Sequence, residues 1–299
     1  MHVLLAGASG AVGHHLVPQL IEAGHRVTGL TRRPGSLSGT GAEELVADVL
    51  DRAALMAALE GITADAVVHQ LTALARSPVT YRDVRETNRL RAEGTSTLAA
   101  AATAVGARRF VAASFFGGYG LFDHGRAPLL ESSTFGESEG GADPVMLALL
   151  SLEQQVRAFG GVCLRFGLFY DTTTTSVSPV SRSWNGVLPM LHVADAAHAT
   201  VLALEKGKPG GVYNISDSQP MTYRARERAR AAAAGLKPPT EFPDGILRVV
   251  APYGSQLLTR ASLSLSTAKA QSELGWAPRY ESMAEGLAGR GDEGVGGPA

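Results

Sequence analysis

Three glycines close to the start of the chain have a spacing that suits phosphate binding. Gly7, Gly10 and Gly13 follow a short apolar run in the pattern G-x-x-G-x-x-G. Glycines let the backbone approach a pyrophosphate closely, and the positive end of the helix that follows attracts the negative charge. Tight structural turns also use glycine, but this pattern follows a predicted strand and opens a predicted helix. It therefore predicts a nucleotide-binding turn made of Gly7, Ser9, Gly10, Ala11, Val12 and Gly13.

A pair of arginines follows the second predicted strand, at Thr31-Arg32-Arg33. An acidic residue at this point would hydrogen-bond the ribose 2′-hydroxyl of NAD, whereas two guanidinium groups suit a 2′-phosphate. The predicted cofactor is therefore NADP, as NADPH or NADP⁺, with a solvated basic turn as the alternative interpretation. Asp48 and Val49, after the third strand, are predicted to hold the adenine edge, although Asp48 would equally suit an ordinary loop.

The elements that position these residues alternate short apolar runs with longer helical patterns. This alternation predicts an α/β protein with a Rossmann-like, doubly wound parallel sheet. The predicted strands cover 3–6, 26–30, 44–47, 66–69, 109–112, 162–165 and 212–215. Helices are predicted over 11–23, 52–60, 82–105, 145–159 and 196–206, with Asp51 and Asp195 as the N-caps of the second and the last.

The same pattern predicts two parts of the chain, a cofactor-binding domain and a smaller lobe. Residues 1–166, completed by about 192–216, are predicted to form the NADP-binding domain. Residues 167–191 and 217–288 are predicted to form a small, shortened substrate-binding lobe, and 289–299 a disordered tail.

Composition excludes several classes of partner. The 299 residues carry 27 Lys and Arg against 28 Asp and Glu, so no global positive field is present to hold nucleic acid or anionic lipid. The longest apolar stretches fall short of the ~18 residues that a membrane span needs, and no targeting segment is visible. The single cysteine, Cys163, lies in an apolar run and is expected to be a buried, inert thiol, so no metal site is predicted. We expect a cytoplasmic protein with a small-molecule substrate.

Several motifs in order resemble the extended short-chain dehydrogenase/reductase family, in its NAD-dependent epimerase/dehydratase branch. Besides the glycine turn and Asp48-Val49, they are His69-Gln70-Leu71-Thr72-Ala73, Thr87-Asn88-Arg89, Ser114 through Tyr119-Gly120, Arg165-Phe166-Gly167, His192-Val193-Ala194-Asp195, Val212-Tyr213-Asn214-Ile215 and Leu274-Gly275-Trp276-Ala277-Pro278. The resemblance covers the chain from Met1 to about Gly286.

This resemblance implies further site residues. The cofactor would be contacted by Gln70, Leu71 and Thr72 at the nicotinamide ribose, by Asn88 as a scaffold, and by the loop that begins at Phe166. The substrate would be contacted by Thr72, Ser114, Phe115 and His192.

The family's proton relay, a Tyr-x-x-x-Lys pair on the helix after strand five, has no counterpart in the predicted alignment. If Glu153 is the acidic residue that usually follows the pair, the tyrosine position falls on Val145 and the lysine position on Leu149. No lysine precedes Lys206, so no shift of register restores the pair. The apolar character of this helix predicts burial, plausibly in a homodimer interface shared with the helix over 82–105.

Other hydroxyl groups are candidates for the missing acid. Ser114, Tyr119 and Tyr170 are tentative catalytic residues, and each also suits a structural role. Three functions stay open. The first is an NADP(H)-dependent oxidoreductase of a small or medium metabolite with an unusual or solvent-derived proton donor. The second is a non-redox cyclase, dehydratase or isomerase that uses the same cleft, and the third is a catalytically inactive NADP-binding protein.

Overall fold

A computed structural model describes residues 1–74, 77–136, 143–172 and 176–289. The predicted tail at 289–299 therefore lies, beyond Gly289, outside the described residues. Seven strands form the main sheet: β1 His2–Ala6, β2 Arg26–Thr31, β3 Glu43–Val46, β4 Ala66–His69, β5 Arg109–Phe115, β6 Val162–Phe166 and β11 Val212–Ile215. Six short strands lie elsewhere: β7 Leu168–Tyr170, β8 Val180–Ser181, β9 Val187–Leu188, β10 Met190–His192, β12 Met221–Thr222 and β13 Glu241–Phe242.

The main sheet is parallel throughout, in the order β11-β6-β5-β4-β1-β2-β3. Its central strands are buried on both faces because helices cover both, which explains their nearly unbroken apolar sequences. The strand order reverses at β1, so the sheet is doubly wound. The predicted α/β, Rossmann-like fold is confirmed.

Eleven α-helices are found in the described residues. They are α1 Ala11–Glu22, α2 Arg52–Ala58, α3 Arg85–Arg89, α4 Thr95–Ala104, α5 Pro144–Ala158, α6 Val193–Lys206, α7 Tyr223–Ala233, α8 Asp244–Val250, α9 Gly254–Thr259, α10 Ala268–Leu274 and α11 Met283–Leu287. Within this described part, no helix is long and apolar enough to cross a membrane.

Two apolar cores lie on opposite faces of the sheet. One packs α1, α6 and α10 against the strands, and Trp276 is fully buried in it. The other packs α2, α4 and α5, with Leu98 and Leu152 at its centre. The apolar residues of α5 are thus largely covered by the chain itself, while Leu147 stays 52% exposed. The homodimer through this helix stays a prediction.

The single helix predicted over 82–105 is instead two helices joined by a turn of π-helix. The chain is α-helical in α3, π-helical over Leu90–Gly94 and α-helical again in α4. Single π turns often occur at functional sites, because they bulge one residue out of the regular hydrogen-bond ladder.

The predicted N-cap of α6 at Asp195 is wrong, because the helix begins two residues earlier. His192 is the N-cap, and its Nδ1 accepts a hydrogen bond from the backbone N–H of Ala194. Asp195 is fully buried in the first turn, where its carboxylate accepts the backbone N–H groups of Arg279 and Tyr280 at 3.1 Å each. Asp195 therefore joins α6 to the C-terminal segment.

Replacing Asp195 by asparagine should lower the free energy of unfolding by about 1–3 kcal/mol. The amide NH₂ would face one of the two backbone donors and leave a buried group unsatisfied. Urea unfolding of the two proteins measures this difference. The matched control is Asp51→Asn, because Asp51 is an exposed N-cap that accepts from the Ala54 N–H, and asparagine caps helices equally well. Equal effects of the two changes would contradict the bridging role of Asp195.

The smaller lobe is made largely from the segments after β6 and after β11. Short strands pair there as β12 with β9 and β13 with β8, and α7 to α9 pack around them. Its apolar cluster includes Val180, Leu188, Tyr223 and Leu263. The later α10 packs instead on α6 and β11 of the main sheet.

Candidate functional site

The predicted site residues come from four separate segments that meet at one edge of the sheet. Gly7 follows β1, Gln70 follows β4, Phe115 ends β5 and Phe166 ends β6. These four strands are neighbours and parallel, so their carboxyl ends lie side by side. Ligands of doubly wound sheets bind in the crevice at this edge, where the strand order reverses. Here the reversal lies between β1 and β4.

The glycine turn leaves the N-terminus of α1 open. Gly7 has a φ of +98°, and a Cβ on Gly13 would lie 2.3 Å from the carbonyl oxygen of Gly7, so both positions require glycine. Gly10 is the N-cap and supplies no side-chain hydrogen bond, while Ser9 and Ala11 are exposed. The first N–H groups of the helix therefore point into accessible space, which is the geometry of an anion site.

The two arginines after β2 are available for a ligand. Arg32 and Arg33 are exposed, and neither guanidinium forms an ion pair with any residue of the described ranges. Both acids at the start of β3, after this loop, are already engaged, and Glu43 pairs with Arg26. Glu44 accepts the backbone N–H groups of Gly35 and Leu37, and these bonds lower the pKa of its carboxyl. Two positive charges are thus left at the loop that follows β2.

The predicted adenine-edge residues differ from each other in exposure. Asp48 is exposed, and its Oδ1 accepts the backbone N–H of Leu50 at 2.9 Å. Val49 is buried in the core beside Gly94.

The segment after β4 closes the other side of the crevice. The backbone of Gln70 lies against Gly7, and its Nε2 donates to Thr200 Oγ1 at 3.0 Å. Leu71 is half-buried and Thr72 is exposed, so this short segment passes from the core to the surface at the crevice. Asn88 is half-buried, and its Oδ1 accepts a hydrogen bond from Arg91 at 3.3 Å.

Two predicted catalytic residues, Ser114 and Tyr119, lie in one buried polar network. The Ser114 hydroxyl donates to Glu153 Oε1 at 2.6 Å, and Arg165 pairs with the same carboxylate through Nε at 2.9 Å and Nη2 at 2.7 Å. Arg165 Nη1 also donates to the Tyr119 hydroxyl at 2.8 Å. Tyr119 in turn donates to Asn214 Oδ1 at 2.7 Å. This network ties β5, β6, β11 and α5 together.

Burial raises the pKa of Tyr119, against the opposing charge of Arg165. Its phenol therefore stays protonated near neutral pH and is no base. Sequence reasoning overlooked Arg165, although a signal for it was present. Arg165 is the one charged residue in the apolar strand β6, and Glu153 is one of two charged residues in the mainly apolar helix α5. Opposite charges in two buried elements indicate an ion pair between them.

Tyr170 and His192 lie together in a second cluster of buried side chains. The His192 ring centroid is 5.3 Å from that of Tyr170 and 4.1 Å from that of Tyr280. Burial and the neighbouring Asp217 and Asp195 raise the pKa of Tyr170, and burial raises the pKa of Asp217 to about 8. The Tyr170 phenol is therefore protonated at neutral pH, and the Asp217 carboxyl holds its proton more strongly than an ordinary aspartate. Phe166 is also buried, with its ring 5.5 Å from that of Phe169.

The two α5 positions at which the relay pair was expected are apolar and filled. Val145 is 4% exposed and Leu149 is fully buried, in a cluster with Val84 and Tyr253. Phe115 packs against the same cluster from the end of β5. The region beside the carboxyl ends of β4 and β5 is therefore packed with aliphatic and aromatic side chains.

Two polar residues near this cluster were not singled out by sequence reasoning. Arg91, in the π turn, is 8% exposed, and Tyr253, before α9, is 4% exposed. Arg91 opposes the effect of burial on the pKa of Tyr253, which burial raises to about 12. No spacing pattern connects residues so far apart in sequence.

Comparison with known proteins is consistent with this geometry. The model of the NAD dependent epimerase/dehydratase family matches residues 3–157. A 3-diazoavenalumate denitrifying reductase from Streptomyces sp is 32% identical over 310 residues, covering 96% of this chain and 99% of that protein.

Solved structures with the same fold are more distant in sequence. UDP-glucose 4-epimerase of Thermotoga maritima, solved with UDP-glucose, superposes with a TM-score of 0.77 at 21% identity, covering 96% of each chain. A dTDP-glucose 4,6-dehydratase of Streptomyces venezuelae, solved with NAD bound, gives 0.77 at 20% identity, covering 96% of this chain and 95% of that one.

The doubly wound sheet and the glycine turn at its switch point define an α/β protein of the Rossmann-like class. Within that class, the chain belongs to the NAD dependent epimerase/dehydratase family. The family predicted from the motifs is confirmed.

Proposed function

We propose that this protein is an atypical member of its family, an NADP(H)-dependent reductase that works without the Tyr-x-x-x-Lys proton relay. The observation that carries the proposal is the apolar filling of the two relay positions. Val145 and Leu149 pack with Val84 and Tyr253, and no lysine occurs in the chain before Lys206. A reduction at this site therefore has to proceed without a proton from that pair.

The residues present fit an NADP cofactor. The Gly7 to Gly13 turn and the open N-terminus of α1 would hold the pyrophosphate. Arg32 and Arg33, which are exposed and pair with no acid of the described residues, would hold the 2′-phosphate. A bound NADPH supplies hydride at this site. Dinucleotide-bound relatives of the same fold support the cofactor class.

Substrates that accept hydride without an accompanying proton suit such a site. Replacing the N₂ group of an aryl diazonium ion by hydrogen is one such reaction. The C–N bond breaks, N₂ leaves with the bonding electron pair, and hydride supplies both the electron pair and the hydrogen of the new C–H bond. No proton is consumed overall. The similarity to a denitrifying reductase supports this reaction class for the present chain.

The chain's own residues would then bind and enclose the substrate. Phe115, which is partly exposed at the end of β5, offers an apolar surface for an aromatic ring. Ser114 and Tyr119 would hold β5 in place through the Glu153 and Arg165 network, as positioning residues.

Reduction of 4-carboxybenzenediazonium by NADPH tests the proposed function. We expect one N₂ and one benzoate for each NADPH oxidised, at a rate well above that without protein. The Leu149→Met variant should keep this activity, because methionine has about the same volume as leucine and preserves the packing. The change in absorbance at 340 nm, together with N₂ measured by mass spectrometry, gives the stoichiometry. NADPH oxidation at the protein-free rate, or oxidation without N₂, would contradict the proposal.

A further inference from the structure

Arg91 is a buried cation that pairs with no carboxylate of the described residues. It is 8% exposed, and in the described ranges its side chain makes one hydrogen bond, from Nη1 to Asn88 Oδ1 at 3.3 Å, and no ion pair. Burial lowers the pKa of Arg91 because the charged form is desolvated. A charge kept in this position without a partner is costly, so buried guanidinium groups are normally paired. The other buried guanidinium of the Rossmann-like domain, Arg165, follows this rule with Glu153.

The position of Arg91 follows from the packing of the π turn that contains it. Arg91 lies in the π turn Leu90–Gly94, which packs against α5. The preceding α3 also packs on α5. The guanidinium lies close enough to His69, at the end of β4, and to Tyr253 to change the pKa of each.

Tyr253 reaches the same place from the C-terminal half of the chain. Its backbone N–H donates to the carbonyl of Val79 at 3.1 Å, which fixes it beside the segment after β4. Its ring packs on Val145 and Leu149 and stands edge-on to Tyr81, with the centroids 5.4 Å apart. Tyr253 and Arg91 interact electrostatically, so the phenol and the guanidinium lie near each other beside this apolar cluster.

The charged and titratable groups around this pair provide no carboxylate for Arg91 within the described residues. His69, at the end of β4, is neutral because burial lowers its pKa to about 4. Asp143, the N-cap of α5, accepts the Tyr81 hydroxyl at 3.1 Å and the backbone N–H of Val145 at 2.7 Å. The same Tyr81 hydroxyl accepts from Gln256. Asp143 is therefore engaged with its own neighbours, and Arg91 keeps its charge for a ligand.

We propose that Arg91 and Tyr253 together bind the carboxylate of an aromatic or conjugated acid, whose ring lies against the partly exposed Phe115 at the end of β5. This assignment of substrate class rests on the proposed function, because it places a carboxylate-bearing substrate in the reductase site. Arginine holds a carboxylate through two parallel N–H···O bonds, and the Tyr253 hydroxyl adds a third donor. The bound carboxylate supplies the partner that the buried guanidinium lacks.

Calorimetric binding of a redox-inert pair of ligands tests this assignment separately from catalysis. The probes are 4-hydroxycinnamate and its uncharged amide, titrated with and without NADP⁺ present. We expect the acid to bind at least about tenfold more tightly than the amide. Arg91→Met should remove this preference, Arg91→Lys should keep part of it, and Tyr253→Phe should weaken the acid alone by several-fold. Arg108→Met, at an exposed arginine elsewhere, should change nothing.

The outcomes separate the two proposals. Equal binding of acid and amide by the unmodified protein, binding of neither, or a preference that survives in Arg91→Met overturns the carboxylate site. The carboxylate site is also overturned if Arg91→Met loses NADP⁺ binding as much as it loses acid binding. If that variant does not fold by circular dichroism, Arg91→Lys and the acid-to-amide ratio of the unmodified protein decide the question. A preserved acid preference without diazonium reduction would overturn the proposed function alone.

Discussion

Replacing Glu153 by alanine is expected to lower the free energy of unfolding by about 3–5 kcal/mol. Glu153 is 3% exposed, and its carboxylate is the ion-pair partner of Arg165 and the acceptor of the Ser114 hydroxyl. Without it, a buried guanidinium keeps its charge but loses its partner, which costs far more than the pair itself contributes. Urea unfolding followed by circular dichroism measures the change.

The control is a second glutamate that pairs with arginine at the surface. Glu93 and Arg89 form an exposed pair at 3.0 Å, so Glu93→Ala should cost about 0–1 kcal/mol. Removing both buried charges, in Glu153→Met with Arg165→Met, should recover most of the stability that Glu153→Ala loses. If Glu153→Ala costs no more than Glu93→Ala, the network does not hold β5 and β6 to α5 as described.

Replacing Arg32 and Arg33 together by alanine is expected to weaken NADPH binding by about 10- to 100-fold. Charge-assisted hydrogen bonds to a phosphate contribute about 1.5–3 kcal/mol, and the loop after β2 offers no acid that already neutralises these arginines. NADH binding should change by less than about twofold, because NADH carries no 2′-phosphate. Fluorescence titration with the two reduced cofactors gives both affinities.

Arg108→Ala is the control for general loss of positive charge, since Arg108 is exposed and lies at the opposite end of the sheet, before β5. Its NADPH affinity should match that of the unmodified protein. Equal losses of NADPH and NADH affinity in the Arg32 and Arg33 double variant would contradict the 2′-phosphate assignment.

Features that depend on neighbouring residues were predictable from the sequence. The strand, glycine turn and helix from His2 to Glu22 follow from apolar patterning and from glycines that no larger residue can replace. The parallel order of the sheet follows from the alternation of strands and helices.

Features that depend on distant partners were not predictable. Asp195 looked like a helix cap because its own neighbours suit one, yet its carboxylate binds backbone groups of Arg279 and Tyr280, far along the chain. His192 is the N-cap of α6 instead. The family resemblance also indicated Ser114 as a site residue, but it did not show that its hydroxyl is directed to Glu153.

The site residues with the longest sequence separation were the hardest to find. Arg91 and Tyr253 are brought together only by the π turn and by the docking of Tyr253 on Val79. Neither has a signal in its own segment. The absence of the relay pair was predictable, by contrast, because the positions of the lysines in the sequence are enough to establish it.

The solvent isotope effect on reduction of 4-carboxybenzenediazonium by NADPH tests most directly whether this site works without a proton relay. If hydride delivery needs no proton from the protein, kcat/KM in D₂O should equal that in H₂O within about 20%, because no general acid acts in the transition state. An effect of twofold or more on kcat/KM would show that a proton moves in that step and would contradict the account.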